Sequence, residues 1–136
     1  MDAEQLISYF NGRIDDDALV QLVSSDAPLK IDGEEAITVV PGHLIRICDA
    51  VLDGKIESTA IERIGSAIIC SDLFGYDLDT DDGDRVAHVA MCWENPYGNY
   101  MLNRETIEKF KLLLQTGDNQ FTDQDHYLDR HGRPRK

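Results

Sequence analysis

Apolar side chains recur at intervals of three and four residues in six segments of the chain, and this spacing constrains the fold more than any other feature of the sequence. It gathers the apolar residues on one face of an α-helix, and that face must be buried against other elements. The six segments therefore predict a mainly α-helical protein, a compact bundle of about six helices that is built from αα-hairpins.

Residues that favour helix termini stand at the boundaries of these segments. The candidate first residues are Asp2, Asp15 or Asp16, Pro41, Ser58 and Asn103, and the candidate ends are Asn11 with Gly12, Asn95 with Pro96, and Gly117. The residues expected to face the core are Leu6, Ile7, Phe10, Ala18, Leu19, Leu22, Val23, Leu44, Ile45, Cys48, Val51, Leu52, Ile61, Ile64, Ala67, Ile68, Val86, Val89, Ala90, Trp93, Ile107, Phe110, Leu113 and Leu114.

One pattern occurs twice, in "FNGRIDDDALVQL" (residues 10–22) and "LDGKIESTAIERI" (residues 52–64). In each copy a helix ends at Asn or Asp, a glycine takes the left-handed turn, an isoleucine follows two residues later, and an acid begins the next helix. The pattern predicts two helical corners in which Ile14 and Ile56 are the buried residues. It is typical of a pair of stacked hairpins, and equally of the common way in which any two helices are joined.

The segment "LKIDGEEAITVV", residues 29–40, departs from helical spacing. Its Asp32 and Gly33 stand between residues that favour strands, which is the strongest short signal for a β-hairpin. The sequence therefore favours a small β-hairpin in this segment.

The chain becomes polar beyond Gly117. We expect residues 1–117 to form a single helical domain and residues 118–136 to form a polar tail that is loosely ordered or peripherally docked. Phe121, Tyr127 and Leu128 are the only large apolar residues that could anchor this tail.

The chain carries 26 acidic and 13 basic residues, a formal net charge of −13. A field of this sign repels nucleic-acid phosphate and anionic membranes, so we expect direct contact with neither. It attracts a protein partner with a basic surface, although the same charge also serves solubility alone. The last seven residues, "RHGRPRK", hold four of the cations and no acid, so an acidic body ends in a basic tip.

Membrane insertion, export and cofactor binding have no signal in the sequence. Apolar runs such as "AIIC", residues 67–70, are far shorter than the ~20 residues of a membrane span. The N-terminal residues lack the basic and apolar regions of a secretory signal, and the odd number of cysteines favours reduced thiols. We expect a cytoplasmic protein that needs no cofactor.

The segment "YDLDTDDGDR", residues 76–85, places five aspartates in eight positions before and after a glycine. A calcium loop of the EF-hand type needs glycine at position 6 and glutamate at position 12. Counted from Asp77, those positions hold Asp82 and His88. We interpret the segment as a solvated turn whose last acids meet the positive end of the next helix, and its acids are our first choice for contact with a basic partner: Asp77, Asp79, Asp81 and Asp82.

A second candidate site is formed by Asp84, His88 and Cys92, which stand at intervals of four and so lie on one face of a helix. No other cluster of His or Cys would complete a tetrahedral metal shell, so we interpret them as a surface histidine beside a half-buried thiol. The standard catalytic motifs are absent. We expect no catalytic residues and no metal ligands, and the alternative is a metal-dependent enzyme that uses the loop from Asp77 to Asp84 with His88.

The stretch "WENPYGNY", residues 93–100, concentrates aromatic residues around a proline and a glycine. Trp and Tyr are enriched at interface hot spots, but they also brace loops against a core. We assign Trp93 to the core, and Tyr97 and Tyr100 to contact with a partner.

The stretch "LISYFNGRIDDDALVQLV", residues 6–23, resembles the opening helical corner of small acidic all-helical bacterial toxin-immunity proteins. The resemblance implies a cytoplasmic protein that binds a toxin domain tightly and blocks it, and it assigns no functional residue. The sequence therefore favours an acidic protein-binding module, an immunity-type inhibitor of a basic toxin or nuclease. A structural or regulatory subunit is the remaining alternative.

Overall fold

The computed structural model describes residues 1–135 and confirms the mainly helical fold with six α-helices. In chain order, the elements are α1 (Ala3–Phe10), α2 (Asp16–Ser24), β1 (Ile37–Thr38), α3 (Pro41–Leu52), α4 (Ile61–Cys70), β2 (Phe74–Gly75), α5 (Asp81–Glu94) and α6 (Arg104–Thr116). Single 3₁₀ turns lie at Ser58–Ala60, Pro96–Gly98 and Asp123–Asp125. In this part of the chain no helix is long and apolar enough to cross a bilayer.

The core lies between α4, α5, α3 and α6. Helix α4 packs along α5, and α3 packs along α6, while α1 and α2 close one side. Trp93 of α5 is fully buried and meets Phe110 of α6 edge-on, with 6.0 Å between the ring centroids. Gly65 lets α4 approach α5 closely, because a Cβ at that position would lie 2.5 Å from the backbone nitrogen of Glu94.

The two predicted helical corners are present, and their backbones bond in the same way. In the first, the Arg13 N–H donates to the Ser8 carbonyl and the Gly12 N–H to Tyr9; in the second, Lys55 and Gly54 donate to Ala50 and Val51. Both glycines are left-handed, with φ of 76° and 77°. These bonds satisfy the last carbonyls of α1 and α3. Ile56 is buried as predicted, whereas Ile14 is only partly buried against the core.

The hairpin predicted for residues 29–40 is not formed. Ile37–Thr38 instead pairs in parallel with the distant Phe74–Gly75. The backbone before the turn also pairs with another part of the chain, because the Lys30 N–H donates to the Met1 carbonyl and the Lys30 carbonyl accepts from the Ala3 N–H. Both arms of the expected hairpin therefore find partners elsewhere in the chain.

The tail, residues 118–135, lies against α6 and the segment before it. Phe121 stacks on Tyr100, with ring centroids 4.0 Å apart, and also touches Phe110. The Asp125 carboxylate is almost fully buried and accepts a 2.6 Å hydrogen bond from the Lys109 ammonium. The end of the tail turns back on itself, since the Arg135 N–H donates to the Tyr127 carbonyl.

Candidate functional site

The aspartate segment is a short turn that leads directly into α5. The Asp77 carboxylate accepts a 3.0 Å hydrogen bond from the Asp79 N–H, and the Asp77 carbonyl accepts from the Thr80 hydroxyl. The Thr80 hydroxyl accepts in turn from the Gly83 N–H and caps the helix. These bonds link the turn to the first turn of α5.

Helix α5 begins at Asp81, so Asp81 and Asp82 are helical rather than part of the loop in which the sequence analysis placed them. The physical reason is twofold: Thr80 supplies the cap, and acids in a first turn interact favourably with the helix dipole. The prediction that the last acids of the aspartate segment lie at the positive end of the helix is confirmed. The capping residue itself is the threonine and not an aspartate.

Gly83 makes this geometry possible. A Cβ at Gly83 would lie 1.7 Å from the Asp77 carbonyl oxygen, so the backbone of the turn rests directly on the first turn of α5. Sequence reasoning weighed Gly83 only as a calcium-loop glycine and missed this role. The close contact of two backbones holds the aspartates in place.

The four predicted aspartates, Asp77, Asp79, Asp81 and Asp82, are all exposed to solvent. Of these, only Asp82 forms a salt bridge within residues 1–135, at 3.7 Å from Arg85. Leu78 stands among them with 62% of its surface exposed. The segment thus presents concentrated negative charge around one apolar side chain.

Three arginines of the described chain bond to backbone carbonyls inside the fold. Arg46, Arg63 and Arg104 donate hydrogen bonds to carbonyls at or just beyond the ends of α1, α2 and α3: Tyr9 and Ile14, Val23 and Ser25, and Leu52. None of those three helices has a basic residue in its own last turn. These arginines therefore neutralise helix ends rather than surface acids.

Tyr100, which the sequence analysis assigned to partner contact, is only partly exposed. Its ring is half-buried between Phe121 and Phe110 and lies 4.9 Å from the His126 ring. Burial raises the pKa of its hydroxyl, and nearby Cys92 and Asp125 act in the same direction. Sequence reasoning treated the tail as peripheral and so missed the residues that cover this ring.

Tyr97 is 53% exposed and meets Tyr127 of the tail edge-on at 5.0 Å. The two rings border a groove of about 290 Å³, which is lined by Thr59, Glu62, Pro96, Tyr97, Met101, Leu102 and Tyr127. The aspartates stand at the beginning of α5 and Tyr97 just after its end. The 14 residues of that helix separate the two by about 20 Å at 1.5 Å per residue. The structure therefore does not join them in one compact site.

The face formed by Asp84, His88 and Cys92 does not assemble a metal shell. His88 is exposed, its Nε2 lies 3.9 Å from the Cys92 sulfur, and burial raises the pKa of that thiol to about 11. Cys92 is fully buried rather than half-buried as expected. Within residues 1–135, no three His, Cys, Asp or Glu side chains lie close enough together to hold a metal ion.

These features define a small helical domain with a fixed acidic segment at one end of α5 and an aromatic groove at the other. Comparison with known proteins finds no match to a family model, to a curated protein or to a solved structure. The resemblance to toxin-immunity proteins stays a prediction.

Proposed function

We propose that this protein is an acidic binding module for a partner protein with a basic surface, and that it acts as an immunity-type inhibitor that covers a basic toxin or nuclease site. The observation that carries the proposal is the segment from Asp77 to Asp82. Its four aspartates are exposed, and hydrogen bonds and the contact at Gly83 fix its backbone. An acidic surface of this kind steers encounter with a cationic partner.

The fixed backbone strengthens this proposal. A flexible acidic loop must be ordered when it binds, and that ordering lowers affinity. Here the turn of Asp77 and the cap of Thr80 are already formed in the free protein. The partner would therefore meet aspartates whose backbone is already arranged.

The placement of the cations supports the same reading. Arg46, Arg63 and Arg104 bond to helix ends, and the salt bridges of residues 1–135 engage six of the chain's 26 acids. The surface therefore keeps a strong negative field that a basic protein would reduce on binding.

Capture from the native cell tests the proposal, with the tag at the C-terminal end because Met1 is buried and its ammonium donates to the Ala27 carbonyl. The first variant carries D77N, D79N, D81N and D82N. Asparagine keeps the oxygen that accepts the Asp79 N–H. The control variant carries D26N, D32N, E57Q and E108Q, which remove the same charge at exposed acids that form no salt bridge in the described chain.

The proposal predicts that the unmodified protein and the control capture a basic protein whose toxic or nuclease activity they block. The variant of the four aspartates should capture markedly less of it. Equal capture by all three proteins, or a captured partner with an acidic surface, would rule the proposed function out.

A further inference from the structure

The groove beside Tyr97 is a second surface feature whose chemistry indicates an occupant. Its walls are mostly apolar and come from Pro96, Tyr97, Met101, Leu102 and Tyr127. Its volume of about 290 Å³ stands at the lower limit of the ~300–1,000 Å³ of sites for drug-sized ligands. The groove therefore fits a single inserted side chain better than a cofactor.

One charged residue lines this apolar groove. Glu62, on the first turn of α4, is the only ionisable acid or base among the lining residues apart from the two tyrosines. Its carboxylate takes part in none of the salt bridges of residues 1–135. The adjacent Arg63 points elsewhere and donates to the Val23 and Ser25 carbonyls at the end of α2.

We propose that this groove receives an arginine side chain of the partner protein, with the guanidinium between the Glu62 carboxylate and the Tyr97 ring. The inference rests on the proposed function, because it takes the partner to be basic, and it adds a site that the charge of the acidic segment does not define. The aliphatic part of the arginine lies along Met101 and Leu102.

The chemistry of the groove favours arginine over a purely apolar residue or lysine. An apolar side chain would bury the Glu62 carboxylate without a partner, which costs free energy. A guanidinium bonds a carboxylate through two donors and also stacks on an aromatic face, whereas an ammonium is a more strongly hydrated point charge. Tyr97 is 53% exposed, so part of its side chain is open to contact with a cation.

Titration of the full-length ¹⁵N-labelled protein with short peptides tests the groove without the partner. The probes are Ac-Gly-Gly-Arg-Gly-Gly-NH₂ and the same peptide with citrulline or norleucine in place of arginine. Citrulline keeps the shape of arginine and lacks its charge. We expect saturable amide shifts at Tyr97, Met101 and Leu102 with the arginine peptide at about 10 mM, which saturates a site with a Kd of about 1 mM.

The matched variants are Glu62→Gln and Glu108→Gln, the latter an exposed acid of α6 outside the groove. Glu62→Gln should weaken binding of the arginine peptide roughly three- to fivefold, the size of an exposed ion pair with a cation–π contact. It should leave the citrulline peptide unaffected, and Glu108→Gln should change neither.

Three results would overturn the inference: equal affinity for the arginine and citrulline or norleucine peptides, an equal effect of the two variants, or no saturable shift at the groove. Shifts confined to residues 77–84 are one form of the third result, and they would leave the proposed function standing. Failure of the proposed function is recognised separately, by capture that is insensitive to the four aspartates.

Discussion

Tyr97 and Tyr100 are three residues apart and identical in chemistry, yet the fold places them in different environments. Tyr100 lies against Phe110 and is covered by Phe121 from the tail, while Tyr97 faces solvent beside Tyr127. The sequence assigned both to a partner because enrichment of tyrosine at interfaces is a property of the residue type. Contact with Phe110 of α6 and coverage by Phe121 of the tail distinguish Tyr100 from Tyr97.

The two tyrosines should differ sharply in their effect on stability. Tyr100→Ala removes an aromatic stack and exposes core, so the free energy of unfolding should fall by about 2 kcal/mol, less than for a fully buried ring. Tyr97→Ala should change it by no more than about 1 kcal/mol, because it removes only the edge-on pair with Tyr127. Urea unfolding followed by Trp93 fluorescence measures both; equal losses would mean that Tyr100 is not held as described.

His43 supplies a pH dependence at the residue scale. Its ring stacks on Phe10, its Nδ1 accepts from the Val40 N–H, and burial together with Arg46 lowers its pKa below 6.5. Because the folded-state pKa is lower than the unfolded one, this group contributes its full stability above pH 6.5. That contribution is lost as the pH falls through the folded-state pKa.

The free energy of unfolding should therefore decline between pH 7 and pH 5 in part through His43. His43→Gln is the matched variant, since glutamine at the third helical position also accepts from the residue before the helix but does not titrate. Its unfolding free energy should decline less steeply over this range, although its absolute stability is lower without the ring. Parallel pH profiles for the two proteins would exclude His43 as the source.

At the scale of elements, the close crossing of α4 and α5 depends on the absence of a side chain at Gly65. A Cβ at Gly65 would meet the backbone of Trp93 at 2.7 Å as well as that of Glu94. Gly42, in the first turn of α3, has nothing within 4 Å of the same position. The two glycines therefore separate the effect of packing from that of helix propensity.

Gly65→Ala should lower the free energy of unfolding by about 2 kcal/mol, because two packed helices must move apart. Gly42→Ala should be neutral or raise it by less than about 1 kcal/mol, as alanine favours helix over glycine. Thermal and urea unfolding of both variants measure the contrast. A stabilising Gly65→Ala would show that the helices are not in close contact there.

The sequence predicts well those elements that depend on local residue patterns. Apolar spacing and capping residues predict all six helices, and Gly12 and Gly54 predict both corners, because the governing contacts lie within a few residues. The pairing of β1 with β2 joins residues 37 positions apart, and no local signal contains it. The Asp32–Gly33 turn predicted a hairpin because the sequence does not show that Lys30 and Ile37 pair with other parts of the chain.

At the scale of the whole molecule, the same distinction applies to the candidate surfaces. The acidic segment is contiguous, so the sequence identifies it, although not the Thr80 cap and the contact at Gly83 that hold it. The groove beside Tyr97 is assembled from four separate parts of the chain, residues 59–62, 96–97, 101–102 and 127. Such a surface has no local sequence signature, and the docked tail completes it with Tyr127.

The rate of association with the partner that the capture experiment identifies tests the central claim most directly. It is measured from about 20 mM to about 500 mM NaCl, where the Debye length falls from ~20 Å to ~4 Å. At low salt the variant D77N, D79N, D81N, D82N should associate at least about tenfold more slowly than the unmodified protein, with a smaller change in dissociation. The control of equal charge, D26N, D32N, E57Q, E108Q, should stay within about threefold of it, since its acids lie outside the segment. Equal association rates at low salt for the unmodified protein and the variant of the four aspartates would contradict the account.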